Sequence, residues 1–290
     1  MKGTRDYVFL SDNTCDLPED VIKELGISCI SLAFEVDGVV FSGEKTLPIK
    51  DFYVKMRAGS SIKTSQISPD SFEEVFSKIV KSGRDVLYVG FSSGLSGTLN
   101  SARVAQRFVS ERFPNAKIRI VDSLCASTGE GLLVYHAAMM KKEGKTIDEV
   151  TDWLEKNKLH LCHLFTVDDL MFLHRGGRVS KTSAIAGSIL GIKPVLHVDN
   201  DGHLIPLSKV RGRKQSLNWL VDKMGERIGK WDNKIFAICH GDCIEDAEYV
   251  AKLVRDKYGI KKCIISYTGT VIGAHSGPGT IALFFLGDYR

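Results

Sequence analysis

Apolar runs and amphipathic stretches follow one another along the first half of the chain at the spacing of alternating strands and helices. Residues 6–11 form an apolar strand, and Leu17-Pro18-Glu19-Asp20 opens a helix with proline near its first turn. A strand is expected over 27–36, and Asp37-Gly38 folds it back onto 39–41 as a hairpin. A short helix over 50–57 is followed by a polar loop, and Ser68-Pro69 starts a helix reaching about Lys81. Strand 85–91, helix 99–112, strand 117–122 and helices over 127–142 and 146–157 complete this half. Strands separated by helices of this length predict a mostly parallel sheet covered on both faces.

The pattern changes beyond about residue 158. Strand 160–167 leads into a short helix over 168–174, which Arg175-Gly176-Gly177-Arg178 interrupts. Residues 181–190 have helical periodicity. Residues 194–198 and 204–210, joined through Asp201-Gly202, have the signature of a second hairpin. Helix 213–228, strand 234–240, helix 245–258, strand 262–267 and an apolar run over 281–286 follow. The expectation is an α/β protein of two domains: an N-terminal α/β/α domain over 1–162 with a mostly parallel sheet, and a C-terminal mixed α/β domain over 163–290.

Composition narrows the function. The 290 residues carry a formal net charge of +4, too mild to suggest nucleic-acid binding. No apolar run approaches the roughly 20 residues that span a bilayer, and the N-terminal residues show no leader pattern. The seven cysteines are odd in number and none has C-x-x-C spacing, which suggests reduced thiols in a cytoplasmic protein. Cys239-His240-Gly241-Asp242-Cys243 lacks a second ligand pair at zinc spacing, so no metal is assigned.

Two polar stretches carry candidate chemistry. Gly90-Phe91-Ser92-Ser93-Gly94 spells G-x-S-x-G after a strand and before a helix, the setting of a hydrolase nucleophile elbow. Ser92 would then be the nucleophile, with Asp122 and His240 or His275 as partners. However, Gly94 and Gly97 delay the helix until about Thr98. That shifts attention to Ser96 and Gly97, at a helix start whose amides favour an anion. The second stretch, Lys63-Thr64-Ser65-Gln66, offers hydroxyls to a carboxylate or phosphate oxygen. Three readings stay open on these residues: an anion site for a carboxylate, a serine hydrolase, and a binding protein for a phosphorylated small molecule.

Five motifs spread over the whole chain supply a resemblance. They are Ser11-Asp12-Asn13-Thr14-Cys15-Asp16-Leu17, Thr64-Ser65-Gln66-Ile67-Ser68-Pro69, Phe91-Ser92-Ser93-Gly94-Leu95-Ser96-Gly97-Thr98, Arg175-Gly176-Gly177-Arg178-Val179-Ser180 and Ile272-Gly273-Ala274-His275-Ser276-Gly277-Pro278-Gly279. In order and spacing the sequence resembles the DegV family, whose characterised members are fatty-acid-binding subunits of bacterial fatty acid kinase. The resemblance implies a non-catalytic, monomeric lipid-binding subunit without cofactor, with a long-chain fatty acid in a tunnel between the domains. It implies that Thr64 and Ser96 hold the carboxylate, with Ser65, Gly97 and His275 close by. It also implies a separate ATP-dependent kinase partner that makes the acyl phosphate, with membrane contact at most transient. Arg175, Arg178 and Arg211 are the expected contacts to partner or acyl phosphate. The runs 184–192, 195–196 and 281–286 are expected to line the tunnel. Ile67, Leu99 and Asn13 depart from the family pattern and leave the carboxylate-holding hydroxyls intact.

Overall fold

The computed structural model describes residues 6–180 and 191–290. The helix expected over 181–190, and most of the tunnel run 184–192, lie outside the described residues.

A four-stranded parallel sheet has the order β2-β1-β6-β7, from β1 (Tyr7–Asp12), β2 (Ser28–Ile30), β6 (Asp85–Gly90) and β7 (Ile118–Asp122). Every residue of β6 is buried, as a strand covered on both faces requires. Val86 and Tyr88 face Phe72 and Phe76 of α3 (Pro69–Lys81) and Leu99 and Ala102 of α4 (Thr98–Arg112). Leu87 and Val89 face the opposite layer, built from α1 (Glu19–Leu25), α5 (Thr128–Lys142) and α6 (Ile147–Asn157).

A six-stranded mixed sheet has the order β10-β9-β8-β13-β11-β12. Its strands are β8 (Leu161–Thr166), β9 (Ile192–Val198), β10 (Leu204–Arg211), β11 (Ile235–His240), β12 (Lys262–Tyr267) and β13 (Ile281–Leu286). Only β11 and β12 run parallel. Helix α7 (Met171–Arg175) follows β8 in sequence, and α8 (Arg213–Arg227) and α9 (Ile244–Tyr258) cover the outer face through Leu220, Met224, Val250 and Val254. The inner face packs on α5. That helix is apolar nearly all round, with Leu132, Leu133, Val134, Ala137 and Ala138 buried, because it lies between two sheets.

A small antiparallel sheet, β4-β3-β5, completes the fold with β3 (Ala33–Val36), β4 (Val39–Phe41) and β5 (Ile62–Ser65). It packs on α2 (Ile49–Arg57) through Phe34, Phe52 and Tyr53. The last helix is α10 (Thr270–Ser276).

Two expectations need correction. The strand expected over 27–36 is two strands in two sheets. Asn13 divides them: its side chain accepts from Leu32 N at 2.9 Å and donates to Leu32 O at 3.3 Å, so Leu32 leaves the ladder. Residues 62–65, read as loop, are β5, an edge strand set by pairing with β3 rather than by apolar alternation. The cysteines are free thiols; four are buried, Cys243 and Cys263 half-buried and Cys29 exposed. Among the described residues no helix is long and apolar enough to cross a membrane.

Candidate functional site

The turn after β6 lies beyond the carboxyl end of the parallel strands, where open α/β sheets place ligands. There the three sheets enclose a cavity of about 740 Å³, a volume typical of a small-molecule site.

Six residues singled out from sequence line it: Thr64, Ser65, Ser96, Gly97, His275 and Arg178. Thr64, on β5, has its hydroxyl 2.8 Å from His275 Nε2 on α10. Burial, assisted by the nearby Arg178 charge, lowers the His275 pKa to about 4, so the ring is neutral at neutral pH. The ring fits because residue 176 is glycine: a Cβ there would stand 2.1 Å from His275 Nδ1. Ser96 Oγ accepts from Thr98 N at 3.2 Å and shares a hydrogen bond with Thr98 Oγ1 at 3.0 Å. Whenever Thr98 is the hydroxyl donor, the Ser96 hydrogen is free for a ligand. Gly97 makes room for Gln66, whose Oε1 would lie 2.2 Å from a Cβ at that position.

Arg178 is half-buried. It donates to Leu95 O at 3.0 Å and to Gly176 O, tying α7's end to the loop after β6. Arg175 and Arg211 are not at the cavity. Arg175 is exposed and stacks over the Phe172 ring at 4.6 Å, and Arg211 is exposed at the end of β10.

The remaining wall is mostly apolar: Phe91, Phe165, Val198, Leu204 and Phe284. Of the runs expected to line a tunnel, residues 281–286 contribute Ala282 and Phe284. Val195 and Leu196 do not. Both are fully buried in the cores on either side of the mixed sheet. His163, within β8, is part of the wall. Its Nε2 accepts from Ala126 N at 3.3 Å, and burial holds its pKa well below the ordinary value. Gln66 and Ser276 also line the cavity; both fall within motifs quoted above, without a role assigned to them. Ser127 and Thr268 line it too, and no spacing signal marks them, since each reaches the cavity through tertiary packing.

The G-x-S-x-G serine has a different role. Ser92 is fully buried, donates to Gly202 O at 2.9 Å and accepts from Gly94 N at 3.2 Å. The histidines proposed as its base are engaged elsewhere: His240 Nδ1 accepts from Cys243 N at 3.2 Å, and His275 pairs with Thr64. Asp122 accepts from Ser93 N and Leu124 N. Gly94 lets the β9–β10 hairpin approach, because a Cβ there would lie 2.7 Å from Asp201 O. The motif is a junction between the two large sheets.

A profile described as "Uncharacterised protein, DegV family" matches residues 9–288. The chain belongs to the DegV family. A DegV domain-containing protein of Clostridium perfringens is 46% identical over 98% of both chains. Among solved structures, a Thermotoga maritima protein reported to reveal fatty acid binding function is 32% identical, with a TM-score of 0.82 over 98% of this chain and 99% of its own. A fatty acid binding DegV family protein from Streptococcus agalactiae is 28% identical, with a TM-score of 0.86 over 98% and 99%. A stearic acid-binding protein from Eubacterium ventriosum is 25% identical, also with a TM-score of 0.86 over 98% and 99%. The three solved proteins are described as fatty-acid-binding, and the two-domain α/β architecture is shared with them.

Proposed function

We infer that this DegV protein binds one long-chain fatty acid, with its acyl chain in the cavity and its carboxylate at Thr64 and Ser96. The observation that carries the reading is that the Thr64–His275 pair and Ser96 line one cavity whose remaining wall is mostly apolar. With His275 donating from Nε2 to Thr64 Oγ1, the Thr64 hydrogen is directed to the ligand, and Ser96 supplies a second donor. Ser65 and Gly97 line the same cavity, and the Arg178 guanidinium adds positive charge. A carboxylate leaving water needs such partners, and charge-assisted hydrogen bonds are the stronger kind. The acyl chain supplies most of the affinity: on the order of fifteen methylenes at ~0.8 kcal/mol each give ~12 kcal/mol before immobilisation is subtracted.

The protein holds its ligand without transforming it. Ser92 donates to a carbonyl instead of being activated by a base. The bound acid is presented to a separate ATP-dependent fatty acid kinase that forms the acyl phosphate. Arg175 and Arg211, both exposed, are the side chains offered to that partner, with Arg178 set to meet the phosphorylated head group from within.

Calorimetric titration of delipidated protein with octadecanoic acid tests the reading. Saturable one-to-one binding is expected, weakened about tenfold in Thr64→Val and in Ser96→Ala, the loss of one hydrogen bond to a charged group. Wild-type protein that takes up no acid, or variants that bind as well as wild type, would count against it.

A further inference from the structure

Thr268 and Ser276 stand at the two ends of α10, and both line the cavity. Thr268 is fully buried and Ser276 is 5% exposed. Thr268 Oγ1 and Ser276 Oγ have no nitrogen or oxygen hydrogen-bond partner among the described residues. This sets them apart from the other buried or half-buried hydroxyls around the cavity. Thr64 pairs with His275, Ser96 with Thr98, Ser127 with Asp16, and Thr280 donates to Ser276 O at 3.0 Å.

A buried hydroxyl without a partner is unfavourable, and native proteins seldom keep one beside a ligand cavity without using it. Ser276 follows His275 directly, so it borders the head-group end. Thr268 lies farther in. At about 1.5 Å of rise per helical residue, the length of α10 separates it from His275 by on the order of 10 Å. Beside it is the Cys239 thiol, whose pKa burial raises to about 11 against a side-chain hydrogen bond from Thr268; the thiol stays protonated and is a weak acceptor. A plain alkyl chain passing Thr268 leaves its hydroxyl with no better partner than this sulfur. A chain bearing a hydroxyl near its middle offers both a donor and an acceptor there.

We propose that Thr268 forms a second polar subsite in the cavity, which selects long-chain fatty acids carrying a mid-chain hydroxyl over unsubstituted ones, while Ser276, at the other end of α10, adds a hydroxyl at the head group. The proposal rests on the fatty-acid reading of the same cavity. A site built to hydrogen-bond a ligand hydroxyl discriminates strongly against the analogue lacking it, because its own polar groups are then left unpaired.

The test is a titration of the full delipidated chain with octadecanoic, 10-hydroxyoctadecanoic and 12-hydroxyoctadecanoic acids. At least one hydroxy acid is expected to bind about tenfold tighter than octadecanoic acid. That ratio should fall to within about twofold in Thr268→Val and stay near tenfold in Ser276→Ala, which stands at the head group. Equal or tighter binding of the unsubstituted acid by wild type overturns the subsite while leaving fatty-acid binding in place. A hydroxy-acid preference that survives in Thr268→Val overturns the assignment to this residue. Failure of all three acids to bind removes the underlying reading as well. Should Thr268→Val not fold, Thr268→Ala takes its place in the same comparison.

Discussion

At the scale of single residues, the site depends on where a side chain is absent as much as on where one is present. His275 can reach Thr64 only because Gly176 has no Cβ. An alanine there must displace the imidazole, since the backbone of α7's end is held by Arg178. Gly176→Ala is therefore expected to weaken octadecanoic acid binding at least as much as Thr64→Val, with little loss of melting temperature. Binding equal to wild type in a fluorescence displacement assay would show that the Thr64–His275 pair is dispensable. Thr64 and Ser96 were recognisable in the sequence, because hydroxyls and glycines clustered in polar stretches stand out from apolar surroundings; His275 entered the carboxylate site through the family resemblance. Thr268 and His163 were not, because a polar residue within or at the end of a strand gives no sign of the cavity it faces.

At the scale of elements, the G-x-S-x-G loop shows how far a motif can be followed. Its strand and helix were legible, and so was the delay of the helix start by Gly94 and Gly97. Its partner was not: the Gly202 turn lies 110 residues away, and no local pattern announces it. Ser92→Ala leaves the buried Gly202 carbonyl without its donor and is expected to lower stability by about 1–3 kcal/mol, measured by urea unfolding. Wild-type protein should not react with a fluorophosphonate probe; labelling that Ser92→Ala abolishes would reinstate the hydrolase reading. The misplaced elements have similar origins. Asn13 breaks an otherwise continuous apolar run through tertiary hydrogen bonds to Leu32. Strand β5 is polar because it is a short edge strand whose order comes from β3. The periodic helices α3, α4 and α9 were legible because their burial follows the period of the chain itself, and the fully buried strands β6 and β11 because they are short apolar runs.

At the scale of the whole molecule, polar groups bind the layers together around the cavity. Arg290, 7% exposed, donates to Leu124 O and Asp199 O at 2.8 and 2.9 Å and to Lys158 O at 2.7 Å. It thereby joins the loop after β7 to the mixed sheet. Asp16 links the first motif to the cavity wall, accepting hydrogen bonds from Ser127 Oγ and the Gly269 amide. Burial is the main cause of a rise in its pKa to about 7, and the neighbouring Asp12 charge adds to it. Burial also raises Asp12 and Glu130. A carboxyl whose folded pKa exceeds its unfolded value holds its proton more tightly when folded. Its contribution is thus fully present below about pH 4 and is lost as pH rises to about 7. Buried neutral histidines, His275 among them, act in the opposite direction over part of that range. The difference between variants isolates Asp16: Asp16→Asn should gain stability relative to wild type between about pH 4 and pH 7 and level off above. A difference independent of pH in denaturant unfolding would contradict the raised pKa.

The central claim is that one long-chain fatty acid occupies the cavity between the sheets. Native mass spectrometry of the folded protein tests it most directly, after incubation with a mixture of acids from tetradecanoic to icosanoic. The account predicts a single adduct with the mass of one fatty acid, which organic extraction removes and which is depleted in Thr64→Val. Only the bare chain, from protein shown to be folded, would contradict it.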